Sequence, residues 1–164
     1  MKKLGLMFLS ITLLLSFCAL PFGANAQVAK SEERIISETV EMLEDGYYVK
    51  TIVAEELPAM APRATTTKSG SKSYVLANNN GEELARFTLK GTFSVNTGVS
   101  ATCTASSYTT SISNNSWSVK SASATKSGNQ AIGDVTFVKK VLFITTSTKE
   151  ARVVLTCDKN GNLS

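Results

Sequence analysis

The sequence contains no histidine, and this absence excludes several kinds of catalytic site. A Ser-His-Asp triad, a Cys-His pair and a zinc site with imidazole ligands all require that residue. Acidic residues are scarce after position 64, and a glycosidase needs two opposed carboxylates. Adjacent Glu82 and Glu83 would point to opposite faces of a strand. A Ser-Lys site stays open, because no single serine stands out, but we predict no enzyme, no metal site and no cofactor.

Long hydrophobic runs are confined to the first 26 residues. Lys2 and Lys3 precede an apolar run over residues 4–20, and small residues then lead to the bond between Ala26 and Gln27. This order is typical of a secretory signal peptide, here residues 1–26, cleaved after Ala26. Because no second apolar run of spanning length follows, we predict a secreted, extracellular protein.

Cysteine is rare, with three residues in the chain. Cys18 lies within the signal peptide, so Cys103 and Cys157 remain. In an oxidising compartment an even pair predicts one disulfide bond. Both residues lie in phase with the apolar positions of their own predicted strands, as a core disulfide between strands requires.

Charge divides the mature chain into two segments. Residues 27–64 carry four basic and eight acidic side chains, whereas residues 65–164 carry eleven basic and five acidic ones. We predict an acidic leader over 27–64, made of a helix, a strand and a linker, followed by a basic domain over 65–164. The basic residues are dispersed and no recognition motif is present, so nucleic acid is not an expected partner.

Within the leader, residues 32–44 predict a short amphipathic helix. Its apolar residues recur at spacings of four and three, at Ile36, Val40 and Leu43. Ser31 fits the N-cap, and Asp45-Gly46 fits a C-terminal stop. A β-rich run over 47–53 predicts a strand, and residues 55–71 have the proline, threonine and glycine content of a linker.

From Lys72 onward the apolar period is two, which predicts β-strands. Residues 85–95 alternate most clearly, and turns are predicted at three places: Asn79-Asn80-Gly81, Asn96-Thr97-Gly98 and Ser127-Gly128-Asn129. The predicted fold is all-β, an antiparallel β-sandwich of about seven or eight strands with a short N-terminal helix. It is loosely immunoglobulin-like, because Cys103, Trp117 and Cys157 occur in the order of that fold.

One apolar run breaks the alternation, at Val141, Leu142, Phe143 and Ile144. It predicts either a strand buried on both faces, or a crossover packed on a sheet end, or an exposed tip. Since Lys139 and Lys140 precede the run, an exposed tip would suit contact with a membrane or a partner. The aromatic residues leave a similar choice between core packing and a binding platform; they are Tyr47, Tyr48, Tyr74, Tyr108 and Trp117.

Five stretches together resemble a family of small secreted proteins of Gram-positive bacteria that is known only as a domain of unknown function. They are EDGYY at 44–48, ARFTLKGTFSV at 85–95, SATCT at 100–104, SATKSGN at 123–129 and LTCDKNGNLS at 155–164. The resemblance covers about residue 40 to the C-terminus. It implies one secreted β domain with a Cys103–Cys157 pair and implies no activity or ligand.

We therefore expect a secreted, non-enzymatic, monomeric β-sandwich that binds a ligand or associates with the cell envelope or surface. Its partner would be a cell surface, a membrane surface or another protein. The alternative is a secreted effector, toxin or bacteriocin-like, that is released from an acidic pro-segment. For this alternative, Pro62-Arg63-Ala64 offers a processing point at the end of the leader.

Overall fold

The computed structural model describes residues 32–43, 45–57 and 65–164, and the predicted signal peptide and its cleavage site lie outside them. The described residues are all-β, with eight strands and no helix. The strands are β1 (Glu32–Met42), β2 (Tyr48–Leu57), β3 (Thr65–Ala77), β4 (Glu83–Asn96), β5 (Ser100–Ile112), β6 (Trp117–Ser127), β7 (Gln130–Val141) and β8 (Ile144–Thr156).

The strands form two antiparallel sheets, one of five strands in the order β1-β2-β3-β4-β5 and one of three in the order β6-β7-β8. Neighbours in each sheet are consecutive in sequence, so each sheet is a meander. Immunoglobulin domains instead contain Greek-key connections. The predicted turns are confirmed, because Gly81, Gly98 and Gly128 have positive φ angles between paired strands. That backbone conformation favours glycine.

The predicted alternation of β4 is confirmed by its burial. Phe87, Leu89 and Phe93 are fully buried. Between them, Thr88 is half-buried and Lys90 is exposed. The buried face of β4 packs on the three-stranded sheet. There the ring of Tyr74 on β3 stacks on that of Phe137 on β7, with centroids 6.4 Å apart. Residues of both sheets therefore share one hydrophobic core.

The predicted helix over residues 32–44 is wrong, because Glu32–Met42 is strand β1. It pairs antiparallel with β2 along its length, from Glu32 opposite Leu57 to Met42 opposite Tyr48. The segment contains the β-branched residues Ile35, Ile36, Thr39 and Val40, which favour a pleated strand over a helix. The sheet thus supplies hydrogen-bond partners that an isolated helix of this length would have to replace by docking.

The acidic segment contributes β1 and β2 to the same sheet as the strands after position 64. Glu55–Leu57 belongs to β2 and Thr65–Ser71 to β3, so only residues 58–64 of the predicted linker lie outside the described strands. Val49 and Val53 of β2 are part of the hydrophobic core. Residues 27–64 therefore supply core side chains as well as negative charge.

The C-terminal tail folds back on the end of β8. Cys157 pairs with Leu163 in an isolated bridge, and Leu163 is buried. Asp158 shapes the turn, since its Oδ1 accepts hydrogen bonds at 2.8 Å from the backbone N–H groups of Asn160 and Asn162. The hydrogen bond from the side-chain amide of Asn162 to the Asp158 carboxylate, followed by these backbone bonds, lowers the pKa of the Asp158 carboxyl. The tail therefore closes one end of the core.

Candidate functional site

The apolar run forms the tip of the β7–β8 hairpin. Val141 pairs with Ile144, and Leu142 and Phe143 make the two-residue turn between them. Leu142 is 86% exposed and Phe143 is 99% exposed. The structure therefore does not bury this run, either as a strand or as a crossover, and contact with a partner stays a prediction.

Both turn residues have an uncommon backbone conformation. The φ angles of Leu142 and Phe143 are +48° and +69°, as a type I′ hairpin turn requires. Glycine and asparagine adopt this region readily, whereas other residues lose about 1–2 kcal/mol each there. Exposed leucine and phenylalanine thus occupy a turn whose backbone favours other residues, and strain of this kind often accompanies function.

Lysines surround the base of the hairpin tip. Lys139 and Lys140 lie near the end of β7, just before its last residue Val141, and Lys149 lies on β8. The ammonium groups of Lys139 and Lys149 lie 5.9 and 5.4 Å from the centroid of the Tyr47 ring, within the range of cation–π attraction. Lys139 also donates a hydrogen bond to the Tyr47 hydroxyl at 3.2 Å.

Lys149 in addition forms an ion pair with Asp45 in the β1–β2 turn. The hydrogen bond from Lys149 lowers the pKa of the Asp45 carboxyl. No local pattern predicts this contact, because the two residues are 104 positions apart. It ties the β7–β8 hairpin to the five-stranded sheet.

A cleft of about 370 Å³ lies beside the hairpin. Its walls come from the β1–β2, β3–β4 and β5–β6 turns and from the end of β7, with lining residues that include Tyr47, Asn78, Asn114, Ser116, Trp117 and Lys139. The rings of Tyr47 and Trp117 meet edge to face, with centroids 5.6 Å apart. We refer to this cleft together with Val141–Ile144 as the tip site.

The five aromatic residues of the predicted binding platform do not lie together. Tyr47 and Trp117 meet at the tip site, where Trp117 is buried. Tyr74 stacks on Phe137 and packs against the core, whereas Tyr108 stacks on Phe87 but is 41% exposed. The aromatic contribution to the tip site is therefore the Tyr47 and Trp117 pair.

The two cysteines lie at the opposite end of the sheets from the tip site. The N–H of Cys103 donates to the carbonyl of Gly128 at 2.8 Å, and the N–H of Cys157 donates to that of Asn129 at 3.0 Å. Both cysteine side chains are buried. Burial raises the pKa of each, so thiolate chemistry is disfavoured there. The predicted disulfide stays a prediction, and its two residues flank the same turn.

A second, open cleft of about 400 Å³ lies on the three-stranded sheet. It gathers hydroxyl and charged side chains of all three strands: Ser121, Ser123, Asp134, Thr136, Glu150 and Arg152. Asp134 lies 3.8 Å from Arg152, and both side chains are more than half exposed. Exposed pairs of this kind contribute little energy. Within residues 32–43, 45–57 and 65–164, no three acidic or cysteine side chains form a group that could hold a metal ion.

Comparison with protein-family models, with curated proteins and with solved structures finds no match to this chain. The resemblance to a domain of unknown function accordingly stays a prediction. In the described part of the chain, no helix has the length and apolar character needed to cross a membrane.

Proposed function

We propose that this chain is a secreted, non-enzymatic β-sandwich protein that binds the bacterial envelope through the tip site. Close packing between the two sheets supports the sandwich. A Cβ atom built on Gly133 of β7 would lie 2.6 Å from the Phe87 ring of β4, so these strands approach at less than the usual side-chain spacing. Export through the predicted signal peptide would bring the protein to the envelope.

The proposed binding function rests on the exposed, positive-φ conformation of Leu142 and Phe143. Single exposed apolar residues are common on soluble proteins, but four consecutive ones at a hairpin tip form a contiguous patch. Neither packing nor turn preference accounts for leucine and phenylalanine at two positive φ angles. A contact made outside the chain gives these residues a role.

The effector alternative requires that the acidic segment leave after cleavage near Arg63. Strand β2 pairs with β3 from Tyr48 opposite Ala77 to Glu56 opposite Ser69, and it supplies core residues. Release would therefore expose core side chains and the edge of β3. This cost favours envelope binding by the intact chain over release of a pro-segment.

Substitution Phe143→Asp should strongly weaken envelope binding and leave the fold intact. Because Phe143 is 99% exposed, a charge there removes apolar contact area without disturbing the core. We expect the fraction of mature protein that co-sediments with Gram-positive envelope preparations to fall at least about tenfold, since burying a phenylalanine contributes roughly 2 kcal/mol. Thermal unfolding should change little.

Val99→Asp is the matched control. Val99 is 70% exposed in the β4–β5 turn, at the end of the sheets opposite the tip site. This variant should bind as the unsubstituted protein does. Equal binding by the Phe143→Asp variant, or equal losses in both variants, would contradict a role for the tip site.

A further inference from the structure

We infer that the envelope component bound by the tip site is an anionic phospholipid bilayer, an inference that rests on the proposed function. Leu142 and Phe143 enter the apolar region, and Lys139 and Lys140 at the base of the hairpin bind lipid phosphates. Peripheral proteins that combine apolar insertion with basic residues use these two contributions together.

The charge of the hairpin supports an anionic surface. Residues 135–149 contain Lys139, Lys140 and Lys149 and no acidic residue. Lys140 is exposed, and Lys139 is half-buried. Among the described residues, neither of these two lysines forms an ion pair with a carboxylate. Two cations at the base of an apolar tip are thus available to an external anion.

Three acidic residues at the same end of the molecule, Asp45, Glu82 and Glu83, each have a partner. Asp45 pairs with Lys149, and Glu83 pairs with Arg86 at 2.5 Å. The carboxylate of Glu82 accepts a hydrogen bond from the amide of Asn78 at 2.7 Å. The charges of Asp45 and Glu83 are therefore compensated, and Lys139 and Lys140 remain as the unpaired cations of the hairpin among the described residues.

The cleft supplies a place for a phosphate group next to the inserted tip. Lys139 lines it together with Asn114 and Ser116, whose side chains can donate hydrogen bonds. Asp45 also lines the cleft, and its carboxylate is paired with Lys149. Lys139 is opposite Trp117 in the pairing of β6 with β7, two residues before Val141. A headgroup held at Lys139 would thus lie at the base of the hairpin while the turn extends into the bilayer.

The shape of the tip favours a bilayer over a protein partner. The patch is a small, convex two-residue turn flanked by Val141 and Ile144. A stable protein interface needs a larger contact area, about 800 Å² on each side. A bilayer accepts a small convex apolar group without a complementary pocket.

A β-bulge between Lys139 and Lys140 lies just below the turn, and bulges bend strands and redirect side chains.

Vesicle co-sedimentation of the mature protein tests this inference. We expect binding to phosphatidylglycerol vesicles, much weaker binding to phosphatidylcholine vesicles, and a decline as salt rises. Phe143→Asp should lower phosphatidylglycerol binding at least about tenfold. Lys140→Gln should lower it about fivefold, the effect of one lysine near an anionic surface, and should weaken the salt dependence. Lys159→Gln, an exposed lysine in the C-terminal tail, should have no effect.

The outcomes separate this inference from the proposed function. Envelope binding that depends on Phe143 without binding to phosphatidylglycerol vesicles would overturn the lipid assignment and leave the proposed function standing. If protease treatment of the envelope then removed that binding, the partner would be a protein. Equal binding to both vesicle types would overturn the role of the lysines. Loss of Phe143-dependent binding in every assay would overturn both proposals.

Discussion

Gly133→Ala should lower the free energy of unfolding by about 2–3 kcal/mol, toward the upper end of the usual cost of overpacking a core. The added Cβ would lie 2.6 and 2.7 Å from two atoms of the Phe87 ring and 3.1 Å from Leu89. Both neighbours are fully buried, so moving either side chain away from the added Cβ would disturb the close-packed core around it. Chemical denaturation of the mature protein measures the loss.

A double-mutant cycle with Phe87→Leu shows whether the loss arises between the sheets. Phe87→Leu alone should be destabilising, but in the Gly133→Ala background it removes the clash, so the two losses should sum to more than the double variant loses. Ser123→Ala, at an exposed position on neighbouring β6, is the control and should be nearly neutral. Strictly additive losses would mean that β4 and β7 do not pack as described.

Glu55→Gln should cost about 3 kcal/mol, the lower end of the usual loss when one partner of a buried ion pair is removed. The Glu55 side chain is only 5% exposed, and it pairs with Arg34 of β1 at 2.6 Å and with Lys68 of β3. The carboxylate thus links three adjacent strands of the five-stranded sheet. Its loss would leave Lys68, whose side chain is 27% exposed, without its charge partner. Denaturant unfolding at neutral pH measures the change.

The same carboxylate should make stability depend on acidity. The hydrogen bond from Lys68, followed by that from Arg34, lowers the pKa of Glu55 below its ordinary value of 4.5, although burial opposes the shift. A lowered folded-state pKa means that the contribution is complete above 4.5 and is lost as the pH falls through the folded-state value. The unsubstituted protein should therefore lose more stability below pH 4.5 than the Glu55→Gln variant.

Glu56→Gln is the control for both measurements. Glu56 is adjacent to Glu55, is more exposed, and lies 3.3 Å from Lys90. A surface pair of that kind contributes less than about 1 kcal/mol. Equal effects of the two substitutions, or equal acid sensitivity of the Glu55→Gln variant and the unsubstituted protein, would mean that the Glu55 ion pairs do not stabilise the sheet.

Local patterns in the sequence predicted the strands after position 72 well. Strand β4 has one wholly apolar face. Turns that contain asparagine and glycine, Asn79-Asn80-Gly81 and Asn96-Thr97-Gly98, connect it to β3 and β5, so the apolar period and the turn residues predict the same strand. The N-terminal segment misled the prediction because one pattern fits two structures. Asp45-Gly46 can end a helix or turn a hairpin, and the positive φ of Gly46 suits either. Pairing with β2, which is a tertiary effect, decides for the strand.

The tip site was predictable in part. The apolar run and its lysines were visible, but Leu142 and Phe143 lack the residues that mark a two-residue turn, so the sequence left burial and exposure both open. The contacts of Lys139 and Lys149 with Tyr47 join residues about a hundred positions apart. Such contacts depend on how the two sheets pack, which periodicity along one strand does not specify.

A tryptophan placed at position 143 shows whether the tip enters the envelope, because its fluorescence reports whether the side chain leaves water. In the Phe143→Trp variant, envelope preparations should shift the added emission to shorter wavelength. The unsubstituted protein, measured in parallel, gives the contribution of Trp117, which lines the cleft. Val99→Trp, at the opposite end, should show no shift. Co-sedimentation of the Phe143→Trp protein with no shift in its emission would contradict the account, because the protein would then bind without burying its tip.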